Sequence, residues 1–196
     1  MLFARLDIPV SSEALKQELK TLPESGWIPH VNRQDYDGDW DVLPLRCHAE
    51  HKDAHPILQG FAIHSGDDWV DLPLLSQLPN IASVLKQLQC PVKSARLMRL
   101  HAGAAIKPHS DNGLAVEFGE ARLHLCIESN QQLEFRINNQ PVPMQEGELW
   151  YVNVDQSHQV NNKGNQDRIN LVVDCVANQW LQQQLETSSL CQPEKR

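Results

Sequence analysis

No stretch of the 196-residue chain approaches the ~18 consecutive apolar residues that a spanning helix needs, so no membrane segment is expected. The first residues, MLFARLDIPVSSEALKQ, lack an apolar h-region, and no signal peptide is expected. There is no CxxC pair. The five cysteines, Cys47, Cys90, Cys126, Cys175 and Cys191, are odd in number and read as reduced thiols of a cytoplasmic protein, not as a disulfide framework. Runs of Lys and Arg are missing, and 17 basic against 25 acidic residues leave a net charge of −8. That balance argues against general nucleic-acid binding but leaves room for a local basic pocket that takes a small anion. Long polar tracts and internal repeats are also absent, so neither a disordered chain nor a solenoid is expected.

What remains is an ordinary globular composition, 41% hydrophobic and 21% charged, on a chain long enough to bury roughly 70% of its unfolded surface. We read it as one domain over 1–196. Residues 1–92 mix helix patterns with loops. Ser12 is placed to cap a helix carrying Leu15, Leu19 and Leu22, and Asn80 one carrying Ile81, Val84, Leu85 and Leu88. Between them, Trp27 to Trp69 shows little periodicity. From 93 to 177 the pattern turns to alternation, as in ARLHLCI, LEFRIN, ELWYVNV and RINLVVDC, with turn residues at Asn138-Asn139, Glu146-Gly147 and Lys163-Gly164. Short strands at this spacing predict a mainly β fold with some α, a double-sheet jelly roll with flanking N-terminal helices. Residues 178–196 hold a short helix, Trp180 to Leu185, and a tail, TSSLCQPEKR, expected to fray.

In IKPHSDN, His109 and Asp111 stand two apart. On a strand they share a face, about 6–7 Å apart along the chain, and can converge on one ion. His158, in DQSHQV after the strand ELWYVNV, supplies a second imidazole. Two histidines and one carboxylate leave one face of an octahedral iron open, as non-haem Fe(II) oxygenases require. A His-x-Asp match is weak by itself, since a turn histidine would also explain His109. His51-Lys52-Asp53 fits the same spacing but lies in a loop-like hydrophilic stretch. Arg168 begins RINLVVDC and shares a face with Asn170 and Val172. It either pairs with a neighbour such as Asp167 or forks a ligand carboxylate. Arg122 and His124 occupy the non-aliphatic face of ARLHLCI. That face is either solvent or a barrel interior where the two groups hold an acidic cosubstrate.

Taken in order, RLMRLHAGAAIKPHSD, ARLHLCI, EGELWYVNVDQSHQV and DRINLVVDC resemble the aspartyl/asparaginyl β-hydroxylase family of Fe(II)/2-oxoglutarate oxygenases, which includes bacterial hydroxylases of free proline. YDGDWDVLPLR resembles the family's lead-in. The resemblance implies a double-stranded β-helix with Fe(II) on His109, Asp111 and His158. It implies Arg168 on the distal carboxylate of 2-oxoglutarate, and Arg122 and His124 near its other end. It also implies O2 as co-reactant, with succinate and CO2 released as a carbon is hydroxylated. Some peptide-modifying members lack the carboxylate ligand, which Asp111 supplies here. A serine that binds the cosubstrate in some members aligns with Met98.

The expected substrate is an amino acid or an aspartyl/asparaginyl residue, with a free L-proline hydroxylase as the alternative. Arg96, Arg99, His101 and Asn170 are available to bind its charged groups. Asp35, Asp37, Asp39 and Asp41 read as a solvated acidic loop, and Trp150 and Tyr151 as core aromatics. A non-catalytic cupin-like metal or small-acid binding module would keep the histidines but not need Arg168. A zinc hydrolase is disfavoured because HExxH is absent.

Overall fold

Apolar residues that alternate along a strand bury one of its faces, and here the alternation builds two antiparallel sheets. The computed structural model describes residues 1–61 and 66–193. In chain order the strands are β1 (Phe3–Leu6), β2 (Ile28–Pro29), β3 (Tyr36–Asp37), β4 (Trp40–His48), β5 (Trp69–Asp71), β6 (Val92–Leu100) and β7 (Ala105–His109). They continue with β8 (Glu120–Glu128), β9 (Leu133–Ile137), β10 (Gln140–Pro141), β11 (Leu149–Val152), β12 (His158–Asn162), β13 (Arg168–Val176) and β14 (Cys191–Gln192). The helices are α1 (Ser12–Leu19), α2 (Pro56–Phe61), α3 (Pro79–Gln87) and α4 (Gln179–Thr187). The larger sheet runs β14-β1-β11-β8-β13-β6-β4-β2, with β5 on β4, and the smaller runs β10-β9-β12-β7-β3. The fold is mainly β with flanking helices, a cupin-like jelly roll.

Each face of the larger sheet has its own core. Leu123, Leu125, Ile127, Leu171 and Val173 face outward and pack with Leu15 of α1, Ile81 and Val84 of α3, and Leu181 and Leu185 of α4. Each such side chain contributes about 1.5–3 kcal/mol on burial. The inner face packs Trp40, Met98, Trp150 and Val172 against Ile106, Phe135, Ile137 and Val160 of the smaller sheet.

Residues 1–92 differ from the helix-and-loop expectation, because β1 and β4 are integral strands of the larger sheet. In β4, WDVLPLRCH, residues of both parities are buried, so no alternation shows. The expected caps shift too. Ser11 caps α1 in place of Ser12. Asn80 lies inside the first turn of α3, where the Glu18 carboxylate accepts from the backbone N–H groups of Asn80 and Ile81, the latter at 3.0 Å. Asn178 caps α4, accepting from the Leu181 N–H at 3.0 Å. The tail does not simply fray, since β14 pairs with β1. Residues 194–196 fall outside the described residues.

The turn between β6 and β7 is held by one buried amide. Asn162 Nδ2 donates to the carbonyls of Leu100 (3.2 Å), His101 (3.1 Å) and Gln166 (2.8 Å).

Candidate metal centre and anion pocket

β12 lies between β9 and β7, and its register makes His158 the direct cross-strand partner of His109. The two rings lie 4.2 Å apart, centroid to centroid. Asp111 follows the end of β7, fixed by its N–H donating to the Val154 carbonyl at 2.8 Å. His109, Asp111 and His158 each bring one donor atom to within 4.8 Å of the others. Nδ1 of His109 meets the Lys107 carbonyl at 2.8 Å, and Nδ1 of His158 meets that of Gln156 at 3.1 Å. A carbonyl can only accept, so each Nδ1 carries the proton and each Nε2 keeps its lone pair. Burial first, then the nearby His109, pushes the His158 imidazole down to about 4, so it is neutral at pH 7. Two imidazoles and a carboxylate suit a divalent cation such as iron.

These groups open onto a cavity of about 660 Å³ between the sheets. On β8 and β13 the inward parity carries Arg122, His124, Arg168, Asn170 and Asp174, and all but Asn170 line the cavity. Arg122 is half-buried and paired on both sides. Its Nε and Nη2 fork Asp174 at 2.6 and 3.0 Å, and its Nη1 donates to Oδ2 of Asp111. Asp174 also accepts from Arg96 Nη1 at 2.9 Å and the Ser94 hydroxyl at 3.0 Å. Despite burial, the two guanidinium groups hold the Asp174 carboxyl far below the usual carboxylate range.

Arg168, 4% exposed, contrasts with this. Its guanidinium lies over the Phe135 ring at 5.4 Å, and among the described residues Nε and Nη2 have no hydrogen-bond partner. Burial pushes it down to about 10, which leaves it charged at pH 7. Both ring nitrogens of His124 and Oδ1 of Asn170 are likewise buried without partners among the described residues. Burial, reinforced by Arg168, pushes His124 well below its ordinary range. Unpaired buried polar groups are costly. A cation and a neutral imidazole orphaned in one cavity fit an anionic ligand carrying hydrogen-bonding oxygens.

Other sequence candidates divide. Arg96 and Met98 line the cavity. Arg99 and His101 do not, because Asp41 takes both, at 3.0 and 2.7 Å. Of the other acidic residues in that segment, Asp37 pairs with Lys107 at 2.8 Å. His51 reaches the cavity rim without Asp53. Trp150 and Tyr151 are fully buried and do not line it. The sequence reading missed Asp174, whose parity with Arg168 was the available signal. It also missed His30, which lines the cavity stacked on Trp40 at 3.6 Å and which burial pushes down to about 3. No local pattern marks His30. Among the described residues, no helix is long and apolar enough to cross a membrane, and all five cysteines are free.

Two solved structures share the fold. One, from Burkholderia pseudomallei, is described as an oxidoreductase of the 2OG-Fe(II) oxygenase family. It is 12% identical with a TM-score of 0.53, covering 85% of this chain and 78% of its own. The other, a viral collagen prolyl hydroxylase from Paramecium bursaria Chlorella virus-1, is 8% identical with a TM-score of 0.52, covering 90% of this chain and 97% of its own. At such identities the likeness speaks to the fold. The sequence match goes further, because residues 11–178 fit the profile of the Aspartyl/Asparaginyl beta-hydroxylase family, with the alternating strands and the His109–Asp111–His158 cluster inside the matched region. The chain therefore belongs to the aspartyl/asparaginyl β-hydroxylase family.

Proposed function

We propose that the protein is an Fe(II)- and 2-oxoglutarate-dependent dioxygenase that hydroxylates an aliphatic carbon of an amino acid or of an aspartyl/asparaginyl residue. The observation that carries this reading is Arg168, a buried guanidinium with unpaired nitrogens in the same cavity as the histidine–carboxylate cluster. A non-catalytic module that only held a metal would have no use for such a costly group.

On this reading His109, Asp111 and His158 hold the iron, and Arg168 forks the far carboxylate of 2-oxoglutarate. Bound together, iron, 2-oxoglutarate and O2 supply oxidative decarboxylation to succinate and CO2, coupled to insertion of one oxygen atom into a C–H bond. The neutral His124 ring can donate one hydrogen bond and accept another beside the cosubstrate. The carbonyls of Lys107 and Gln156 keep the two ligand imidazoles in the required tautomer. Arg96, whose Nε is unpaired among the described residues, is placed for a substrate carboxylate. The cavity draws side chains from residues 30 to 174, which supports one domain over 1–196. Five free cysteines suit a reducing compartment, and the cytoplasm is the proposed location.

The test is anaerobic titration of the Fe(II)-loaded protein with 2-oxoglutarate, followed by its weak visible charge-transfer band. The band is expected in the unaltered protein and lost in His109→Ala, His158→Ala and Arg168→Met. Tight metal binding with no band would sink the oxygenase reading in favour of the cupin-like module. Succinate formation with proline, aspartate, asparagine and peptides then separates the substrates.

A further inference from the structure

We propose that Asp174 is a positioning residue for the metal centre: by forking Arg122 through Nε and Nη2 it fixes the plane of that guanidinium, so that Nη1 holds one Asp111 oxygen and the other is left for the ion. The inference rests on the metal reading above.

A guanidinium and a carboxylate left alone prefer two parallel hydrogen bonds. Arg122 lies beside Asp111, and a two-point contact would turn both Asp111 oxygens away from the histidines. The observed contact is a single one. Nε and Nη2 of Arg122 fork Asp174 at 2.6 and 3.0 Å, which fixes the guanidinium plane, and Nη1 donates to Oδ2 of Asp111. Oδ1 is left 3.9 Å from Nε2 of His109. Register enforces the arrangement, since Asp174 is the direct cross-strand partner of Arg122 in the β13–β8 pair. Asp174 is pinned from its other side by Arg96 and by Ser94, itself the direct partner of Asp174 on β6. A carboxylate serving only to balance charge would not need a two-point fork that fixes the plane of Arg122.

The experiment is anaerobic Co(II) titration, read by visible absorption, of the unaltered protein and three variants. Asp174→Asn removes the charged fork. Asp174→Asn combined with Arg96→Met removes one buried charge of each sign, which restores charge balance and protects folding without restoring the fork. His109→Ala reports on the metal site itself. The inference expects Co(II) affinity to fall roughly 10–100-fold in both Asp174 variants, and binding to be lost in His109→Ala. Unchanged affinity in folded Asp174→Asn would overturn it. So would recovery in the double variant, because Asp174 would then act through charge balance alone. If His109→Ala binds Co(II) like the unaltered protein, the metal reading itself falls and this inference with it.

Discussion

At one end of β13, Asp174 joins Arg122 and Arg96 in ion pairs; at the other, Arg168 is buried with two of its nitrogens unpaired among the described residues. Both ends face one cavity and come from one strand. Partnership separates them. A buried charge costs several kcal/mol unless it is paired. Arg122 is therefore taken up by its two carboxylate partners, and the Arg168 end is completed by a ligand. A buried arginine on this fold is informative about binding when its nitrogens are counted, and not from its presence alone.

The sharpest way to break the comparison is to truncate each arginine. Arg122→Met leaves Asp111 without its partner and Asp174 with Arg96 alone, and is expected to cost about 3–5 kcal/mol of stability. Arg168→Met removes an unpaired charge and is expected to cost the metal-free protein no stability, while 2-oxoglutarate affinity falls on the order of 100-fold. Urea unfolding of the metal-free proteins, with cosubstrate titration alongside, reads both. Equal stability losses in the two variants would erase the distinction.

Acid sharpens it further. His30, His124 and His158 are held neutral by burial, whereas in the unfolded chain they take up protons near pH ~6.5. Falling pH therefore favours the unfolded chain. The metal-free protein should lose up to about 1.4 kcal/mol per pH unit for each of the three between about pH 6.5 and 4. Asp174 works in the opposite sense to a raised group. Its depressed carboxyl contributes stability that is full above about pH 4, the unfolded value, and is lost only below it. Urea midpoints from about pH 7.5 to 4.5 should fall through the histidine window with the Asp174 end still charged; a flat profile would contradict the histidine burial. The smallest effect lies outside the cavity. Glu18→Ala should cost about 1 kcal/mol by uncapping α3, with hydroxylation unchanged once the protein is folded.

How much of this was legible before the structure depends on which faces each strand buries. β8 and β13 bury an apolar face against helices and a polar face against a cavity, so their alternation is plain and Arg122, His124 and Arg168 stand out. β4 is apolar on both faces and carries a proline, and it read as featureless. Asp174 was hidden for another reason. Its role depends on Arg122 of a neighbouring strand, and pairing between strands distant in sequence leaves no local mark. The same is true of Glu18, which caps a helix 62 residues away. Arg99 and His101 looked as suitable as Arg96, yet Arg99 has the opposite parity and His101 lies past the strand end, so Asp41 claims both.

The cross-strand pairing of His109 with His158 has a consequence for how such a protein can change over generations. The proposed metal site is written in strand register, and a one-residue slip of β12 against β7 would turn His158 to the opposite face. Single-residue insertions or deletions inside these strands should be purged. The segments bordering the cavity outside the strands, around α2 and from Asn112 to Leu114, can vary in length and composition without disturbing the pairing. New substrates would then be acquired at the rim while the oxidising centre is inherited unaltered.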